Sequence, residues 1–521
     1  MHEESQVTMT LAIANRPSDL LVIGVTGRDR LNAPFCFDID LVTPDPALDL
    51  ASLRSCDAGL HIGTGAIHVH GVHGQIHDAR QLHRGRDLSL YRLRLMPALQ
   101  RLCGAPRRRA FNGLSVPQIL LRLLHDNGMG DDEFRFDRLV GVYPRRAQCL
   151  QYDESDLHFL HRLCEEEGIA FRHEHHVQRH TLVFSDDPMG FPEWPTAAFV
   201  DHLAEQLSAR TSYSSQAGER YTPQHFTPAR RPTDADNQPL CMGPNDPRAS
   251  GQRQQLSARL LERLRCERRD ILGRSRLPWL RAGLVMRVEE QPEPWLNDQW
   301  LLTDVRHSAW QLAPLKGCAS LDVIHMLQAM ASAETTDRGI GRWLRLSPGA
   351  DRPALAGYEN SFRVLPWTLP FRPPIEHPKP IVTSTDLATW VDEPADTAGR
   401  VRIRYQWQGS GPESGSFDSW ARVAGSLDER QAGSMLHIGF FEGDPDQPLV
   451  CGVVGMQAEP PAHLDDAGPR PAGSPSAADR KPEPLHIDSP QSLTLRGAGA
   501  TLHISEQGVR YTPRMPADDP A

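Results

Sequence analysis

Lysine is almost missing from this sequence: only Lys316, Lys379 and Lys481 stand among 56 basic residues, the others being arginine. The bias reads first as codon usage in a GC-rich genome. Positive charge is also in deficit, 56 basic against 66 acidic side chains for a net charge of -10. That balance argues against a general nucleic-acid binder, whose affinity would come from neutralising phosphates. Paired cysteines are absent too. The nine cysteines are odd in number, scattered and without a CxxC pair. Such usage fits free thiols in a reducing cytoplasm and excludes a disulfide framework or a zinc ribbon. No apolar run is long enough for a bilayer: Leu20 to Val25, the longest near the start, is about a third of the ~18 residues a spanning helix needs. Glu3 and Glu4 stand where a signal peptide would be basic, so neither an export signal nor an anchor is expected.

Catalytic signatures are lacking as well. There is no G-x-S-x-G elbow, and Gly24-Val25-Thr26-Gly27 and Gly63-Thr64-Gly65 lack the lysine and following helix of a phosphate-binding loop. The 23 histidines invite a metal reading, above all His68, His70, His73 and His77, or His173, His175, His176 and His180. No cysteine or carboxylate completes either group at ligand spacing. Arg172-His173-Glu174-His175-His176 is not HExxH, whose second histidine lies one helical turn past the glutamate. Exposed strand histidines and no metal are the expectation. Glu165, Glu166 and Glu167 read as a solvated helix end, so Glu166→Ala is expected to change little. Arg107, Arg108 and Arg109 read as a solvated turn.

What is present is enough for several folded units. The 521 residues, 39% hydrophobic and 23% charged, suggest roughly three or four domains. Residues 7 to 100 alternate apolar and polar positions, as in Ile67-His68-Val69-His70-Gly71-Val72 and Leu88 to Leu95, and predict a run of strands. A helix is predicted after Ser115, with Pro117 in its first turn and Asn127-Gly128 as its stop. A second starts near Asp153 to Ser155 and ends at Gly168, followed by a strand-like stretch from Ile169 to Phe184. Residues 205 to 250 read as loops and short strands, with Tyr213 and Tyr221 as possible anchors. A third helix is predicted near Gln252 to Asp270, then a β-rich segment from Leu280 to His307. Prolines at 366, 370, 373, 374, 378 and 380, with Pro353 upstream, mark a semi-rigid linker.

Beyond it, strict alternation in Val401-Arg402-Ile403-Arg404-Tyr405 and Ser419 to Val423 predicts a small β-barrel over 381–457. Trp390, Tyr405, Trp407, Phe417 and Trp420 could stack bases in a nucleic-acid-binding barrel; core packing explains most of them better. Residues 458–484 are too poor in apolar side chains to fold alone. The last stretch holds four apolar pairs, Leu485/Ile487, Leu493/Leu495, Leu502/Ile504 and Val509/Tyr511. Such short strands cannot bury a core within one chain, so stacking with copies of the chain is expected.

Two motifs carry a resemblance. Tyr143-Pro144-Arg145-Arg146 is followed by Gln151-Tyr152-Asp153-Glu154-Ser155-Asp156, then Phe159, Arg162, Glu167 and Gly168. The barrel segment ends in Glu442-Gly443-Asp444-Pro445-Asp446-Gln447-Pro448. Physically the second is turn chemistry: Gly443 permits a positive φ, Pro445 and Pro448 fix φ, and the carboxylates can bond nearby N–H groups. Together with His70-Gly71-Val72, Tyr91 to Leu99, Arg109 to Asn112, Asn297 to His307 and Tyr358 to Phe362, they resemble the VgrG family, the spikes of bacterial type VI secretion systems.

The resemblance implies a mainly β fold with an α+β hub over 7–365 in two subdomains, a linker at 366–380 and an OB-fold barrel at 381–457. A flexible linker at 458–484, a short triple-stranded β-helix needle at 485–513 and a tail at 514–521 complete it. It implies a non-enzymatic homotrimer without cofactor, held in the cytoplasm until it joins the secretion baseplate and then delivered outward. Implied partners are the tail-tube protein, the baseplate, effector or adaptor proteins and a PAAR-type tip protein touching Leu502, Ile504, Val509 and Tyr511. The spike would meet the target membrane transiently and bind no nucleic acid. The baseplate hub of a phage-like particle is the alternative; a metal-dependent enzyme or an OB-type nucleic-acid binder ranks below both. Three departures are expected: one barrel strand between Trp420 and Glu442 shortened or missing, a needle only about 20 Å tall at ~4.8 Å per strand, and residues 308–357 as a loop insertion.

Overall fold

The computed structural model describes residues 7–14, 20–64, 69–176, 179–195, 198, 200–206, 247–268, 270–332, 356–391, 399–408, 418–424, 433–454, 492–496, 500–505 and 508–513. The chain divides into two units, 1–455 and 456–521.

The first unit is organised by one eleven-stranded sheet. Its opening strand β1 (Val7–Ile13) shows why it forms: Val7, Met9, Leu11 and Ile13 are buried and the threonines between them are exposed, the period-two pattern of a half-buried strand. The next strands are β2 (Leu21–Arg30), β3 (Cys36–Thr43), β4 (Asp57–Thr64), β5 (Val69–Arg84) and β6 (Ser89–Met96). They are joined, in the order β1-β4-β5-β6-β3-β2, to β15 (Gln299–Gln311), β16 (Ala356–Pro366), β13 (Asp270–Ser275) and β12 (His202–Gln206), with β14 (Val285–Arg287) on the flank of β15. Strand β15 serves both halves of the sheet. It pairs with β2 over Asp304 to Trp310 and with β16 over nearly its whole length, so the core around Phe37, Leu60 and Leu93 and the core around Trp300, Ile271 and Phe362 share one backbone.

A helical layer sits beside the sheet. Helix α1 (Val116–Asp126) opens with a capping box between Ser115 and Gln118. Helix α2 (Asp156–Glu167) opens on Ser155, which accepts from His158 N–H, and closes on Gly168 at φ +68°, a left-handed end that favours glycine. Ile119, Leu123, Phe159, Leu160 and Leu163 form their common core with Phe171 and Phe184 from β10 (Ala170–His175) and β11 (His180–Ser185). The predicted stretch 169–184 is thus two antiparallel strands. Short strands β7 (Arg107–Ala110), β8 (Phe134–Phe136) and β9 (Leu150–Glu154) complete this layer. Helix α3 runs Pro247–Glu267, starting ahead of the predicted point. Tyr213 and Tyr221 lie outside the described residues.

Two expectations fail here. Residues 308–357 are not simply a loop: β15 extends to Gln311, a helix α4 spans Ser320–Ser332, and β16 begins at Ala356. Met326 and Met330 of α4 are buried against Ile23, Val42 and Trp310, so an apolar stripe holds it to the sheet. The small barrel is also not short of a strand. It closes from β17 (Asp386–Trp390), β18 (Val401–Tyr405), β19 (Ser419–Val423), β21 (Pro448–Val453) and β20 (Met435–Phe440). Strand β20 takes its place through Leu436 and Ile438, both fully buried, a two-residue alternation too brief to stand out in the sequence.

In the second unit, β22 (Ser492–Arg496), β23 (Ala500–Ser505) and β24 (Gly508–Pro513) form an antiparallel meander. Its register sets Leu493 opposite Ile504, Leu495 opposite Leu502, Leu502 opposite Tyr511 and Ile504 opposite Val509. These strands therefore pair with one another within the chain. Leu485 and Ile487 lie outside the described residues.

Candidate functional site

The two sequence motifs, nearly three hundred residues apart, meet where the hub joins the small barrel. Strand β9 carries the first into the joint, paired with β7. Ala110 of β7 and Leu150 of β9 belong to the barrel's own core, beside Ala388, Val401, Ile403 and Tyr405. Hub and barrel thus share apolar packing as well as a linker.

From β9 the side chains turn inward. Gln151, fully buried, donates through Nε2 to Glu154 O and Asp156 Oδ1, both at 2.8 Å. Asp156 also accepts from Arg109 at 2.6 Å and from Asn127 at 2.7 Å. Glu154 accepts a fork from Arg162 at 2.8 and 2.9 Å, and Arg162 donates onward to Glu166 at 2.8 Å and to Leu150 O at 3.0 Å. Arg162 lies over the Phe159 ring, which stacks on Phe111. Tyr152 points toward the barrel: its hydroxyl donates to Asp386 at 2.9 Å, its ring meets Phe440 edge-on, and Arg108 lies 4.3 Å from its centroid. Burial and the Asp386 carboxylate push its phenol up to about 12. Arg108 bridges Asp153 at 2.7 and 2.8 Å and Asp386 at 3.2 Å.

The barrel supplies the opposing face. Gly443 sits at φ +74°, where a Cβ would lie 2.7 Å from Ile381, so the turn needs glycine. Neighbouring Glu442 also holds a positive φ, +52°. Asp444 Oδ1 accepts from Asp446 N–H at 2.9 Å, and Pro448 opens β21 as a buried residue; Pro445 lies between the two aspartates. Asp446 reaches across the joint to accept from Leu150 N–H at 2.5 Å. Lys379 closes the triangle, its Nζ 2.5 Å from both Asp444 and Asp446. The desolvation of its buried ammonium is outweighed by Asp446, Asp444 and Glu166, which hold its pKa above the usual lysine value.

The linker is fastened by the same means. Glu165 accepts from Glu376 N–H at 2.9 Å, His377 N–H at 2.8 Å and meets His377 Nδ1 at 2.7 Å. Arg263 donates to Pro373 O at 2.7 Å and to Glu165 O; Arg372 donates to Gly168 O, Asp186 O and Glu262. Tyr143 donates to Asp186 at 2.6 Å, and Arg259 pairs with the same carboxylate.

Several sequence expectations are overturned by this geometry. Glu165 and Glu167 are 3% and 1% exposed, and Glu166 and Glu167 pair with Arg146 at 2.9 Å. The end of α2 is therefore an enclosed ion network, built from arginines no local pattern connects to it. Burial alone would raise the Glu166 pKa, but Arg162, Arg146 and Lys379 hold it well below the carboxylate range. Arg107, Arg108 and Arg109 are a strand whose guanidiniums pair with Asp156, Asp153, Asp386 and Asp126. The histidines are not exposed strand residues as a class: His173 is 2% exposed among Phe35, Phe171 and His180, and burial lowers its pKa well below the usual value. Sequence reasoning missed Arg263 and gave no role to Arg146, Arg372 or Lys379; the rarity of lysine was the one available signal for Lys379. Leu502, Ile504, Val509 and Tyr511 lie in the second unit, paired in register as above.

Asp153, Glu154, Asp156, Glu165, Glu166, Glu167, Asp386, Asp444 and Asp446 each engage a guanidinium, an ammonium or a backbone N–H, while Glu442 is exposed. What such an arrangement does is hold two folded bodies and their linker in one geometry.

Comparisons with known proteins identify the family. Residues 28–313 match the model of the phage tail baseplate hub (GPD) family. Type VI secretion system spike protein VgrG4b of Pseudomonas aeruginosa is 34% identical over 493 residues, covering 88% of this chain and 57% of that protein. Spike protein VgrG5 of the same organism is 33% identical over 484 residues, 86% of this chain and 58% of the relative. The chain thus spans somewhat over half the length of these relatives. Among solved structures, the E. coli c3393 protein, described as a type VI secretion component similar to T4 bacteriophage tail proteins gp27 and gp5, superposes with a TM-score of 0.60. That match covers 85% of this chain and 100% of that one at 22% identity, a likeness of fold. Hub sheet, helical layer, closed barrel and the matched residues together place the chain in the phage tail baseplate hub family, as a homologue of the VgrG spike proteins.

Proposed function

We propose that this chain is the hub and collar of a trimeric type VI secretion spike, whose work is mechanical. In this reading residues 7–365 form the hub that seats on the tail tube and baseplate, 366–380 the linker, 381–457 the collar barrel, and 485–513 the needle, set apart by the linker 458–484, which lies outside the described residues, and ended by the tail 514–521. A contracting machine drives the assembly through a target envelope with effector or adaptor proteins aboard, and a PAAR-type cap sits on the strands carrying Leu502, Ile504, Val509 and Tyr511. No side chain is asked to accelerate a reaction. The chain leaves the cytoplasm through the machine itself; no described helix is long and apolar enough to cross a membrane.

The observation that carries the proposal is the joint. A piston must transmit thrust from hub to collar without hinging, and here the linker backbone is bonded at Pro373, Glu376 and His377 while Lys379 and Asp446 tie it to both bodies. Light scattering of the purified chain tests the assembly: the expected mass is three chains of 58.1 kDa. A monomeric mass at micromolar concentration overturns the proposal.

A further inference from the structure

Two groups of possible metal ligands occur among the described residues: His161, Glu165 and His377 in the joint, and His83, Asp322 and His325 where α4 meets the end of β5. Within each group the donor atoms lie within 4.8 Å of one another. Ring geometry separates the two. An imidazole offers its lone pair in its own plane, so two histidines sharing a cation must turn those planes to converge on it. His161 and His377 are stacked face to face, 4.3 Å between centroids and 17° between planes, and their lone pairs run past each other. Glu165 is occupied there too, by two backbone N–H groups and His377 Nδ1. That group is a latch on the linker.

His83 and His325 meet otherwise, with centroids 5.7 Å apart and planes tilted by 55°. With metal–nitrogen bonds of about 2.0–2.1 Å, two imidazoles on one tetrahedral zinc place their centroids roughly 5 Å apart. The pair is therefore a small side-chain adjustment from a shared ion. Asp322 and His325 stand three residues apart on α4 and share a face of it. Asp322 Oδ2 accepts from Arg86 N–H at 3.1 Å, which orients the carboxylate as an outer-shell bond orients a ligand and leaves its other oxygen available. His83 Nε2 is enclosed and has no hydrogen-bond partner, and an enclosed polar atom without a partner is unfavourable. The scaffold beneath is firm: Met326 and Met330 are fully buried, with Leu82 and Leu88 packed against them.

We propose that His83, Asp322 and His325 bind one divalent ion of the zinc type, with water completing the coordination, and that the ion clips α4 to the β5–β6 hairpin. Two imidazoles with one carboxylate suit borderline transition ions, whereas magnesium and calcium take oxygen ligands. Helix α4 lies beyond the residues matched by the hub family, so the clip fastens a segment that the family match does not cover. Spacing along the sequence could not show it, because one ligand comes from a strand and two from a helix far along the chain.

The test uses the full chain, freed of purification tags and of metal, titrated with zinc by calorimetry and with cobalt by visible absorption. Expected are a saturable site with a four-coordinate cobalt spectrum, and a loss of affinity of at least about tenfold in Asp322→Asn and His325→Ala. His325 is exposed, so its removal leaves folding intact, as circular dichroism would verify. Zinc should raise the unfolding temperature of the wild type and leave that of His325→Ala unmoved. His161→Ala should bind as the wild type does. Folded wild type that takes up no cobalt at micromolar concentration overturns the proposal, as does binding lost in His161→Ala and unaffected in His325→Ala.

Discussion

Lys379→Met is the sharpest test of the joint, because it removes one charge and leaves two carboxylates behind. The ammonium lies 2.5 Å from Asp444 and from Asp446, its side chain is 12% exposed, and theirs are 18% and 13% exposed. At an effective dielectric of about 20, each contact represents roughly 6–7 kcal/mol of bare attraction. Desolvation of the three ions, several kcal/mol each, offsets most of it. Removing one partner of such a buried group typically destabilises by ~3–5 kcal/mol, and the partial exposure of both aspartates favours about 3 kcal/mol here, over a hundredfold in the local opening equilibrium. Hydrogen exchange reads it directly, since Leu150 N–H donates to Asp446 and Val382 N–H to Gly443 O. Both amides should lose about two orders of magnitude of protection, while β3 and β6 in the hub keep theirs. Adding Asp444→Asn should restore part of the loss. The pH dependence supplies a second signature. Burial raises the Asp444 pKa but Lys379 more than reverses this, leaving it below the usual aspartate value. The stability it contributes is present above the unfolded value of about 3.9 and fades as pH falls through the lower folded one. Lys379 is raised, so its contribution is complete below about 10.4 and fades only above. The gap between wild type and variant should hold across neutral pH and close below about pH 4. Protection at Leu150 that stays within about threefold of wild type would refute the reasoning.

Glu166→Ala should destabilise by about 1.5–3 kcal/mol, the range for hydrogen bonds to charged groups, because Arg162 keeps Glu154 and Arg146 keeps Glu167; a thermal shift within error of wild type would return that end of α2 to a solvated role. The Glu166 pKa is depressed in the fold, so the wild-type advantage should be full above the unfolded value of about 4.3 and shrink in acid. Leu160→Asp puts an unpaired charge into the core of the helical layer, where Leu160 is fully buried, and should abolish soluble protein. Leu160→Met, a volume-conserving swap, should stay within about 1.5 kcal/mol of wild type, and soluble Leu160→Asp trimers would contradict the burial.

Elements whose signals are local were legible in the sequence. Alternation in β1, β18 and β19 placed strands, and Ser115, Ser155 and Gly168 placed the ends of α1 and α2. Residues whose partners lie far away were not. Glu166 looks solvated beside two other glutamates because nothing nearby shows Arg146 folding back onto it, and the arginines of β7 look like a loop until Asp386 arrives from the barrel. Strand β20 hid for another reason: its alternation through Leu436, His437 and Ile438 is brief, and only closure of the barrel reveals that Leu436 and Ile438 point inward. Helix α4 carries an apolar stripe in Met326 and Met330, yet it was overlooked because the surrounding segment matched no known pattern.

Taken separately, each motif is ordinary. Gln151 to Gly168 is a strand end followed by a capped helix, and Glu442 to Pro448 is a turn with two proline stops. Their proximity changes what the residue types mean. Arginine makes planar forks, and in the joint it is used where two acceptors must be held in fixed orientation, as by Arg162 on Glu154 and Arg108 on Asp153. Where two carboxylates two residues apart in one turn, Asp444 and Asp446, converge on a single atom, the cation is lysine, a compact charge on a long stem. A guanidinium there would present its donors in a plane, and the aspartates, one of them also receiving Leu150 N–H, are set by the turn rather than by such a plane. The near-exclusion of lysine elsewhere in the chain makes Lys379 a geometric choice, and it predicts that Lys379→Arg would hold the charge yet loosen the bond between Asp446 and Leu150.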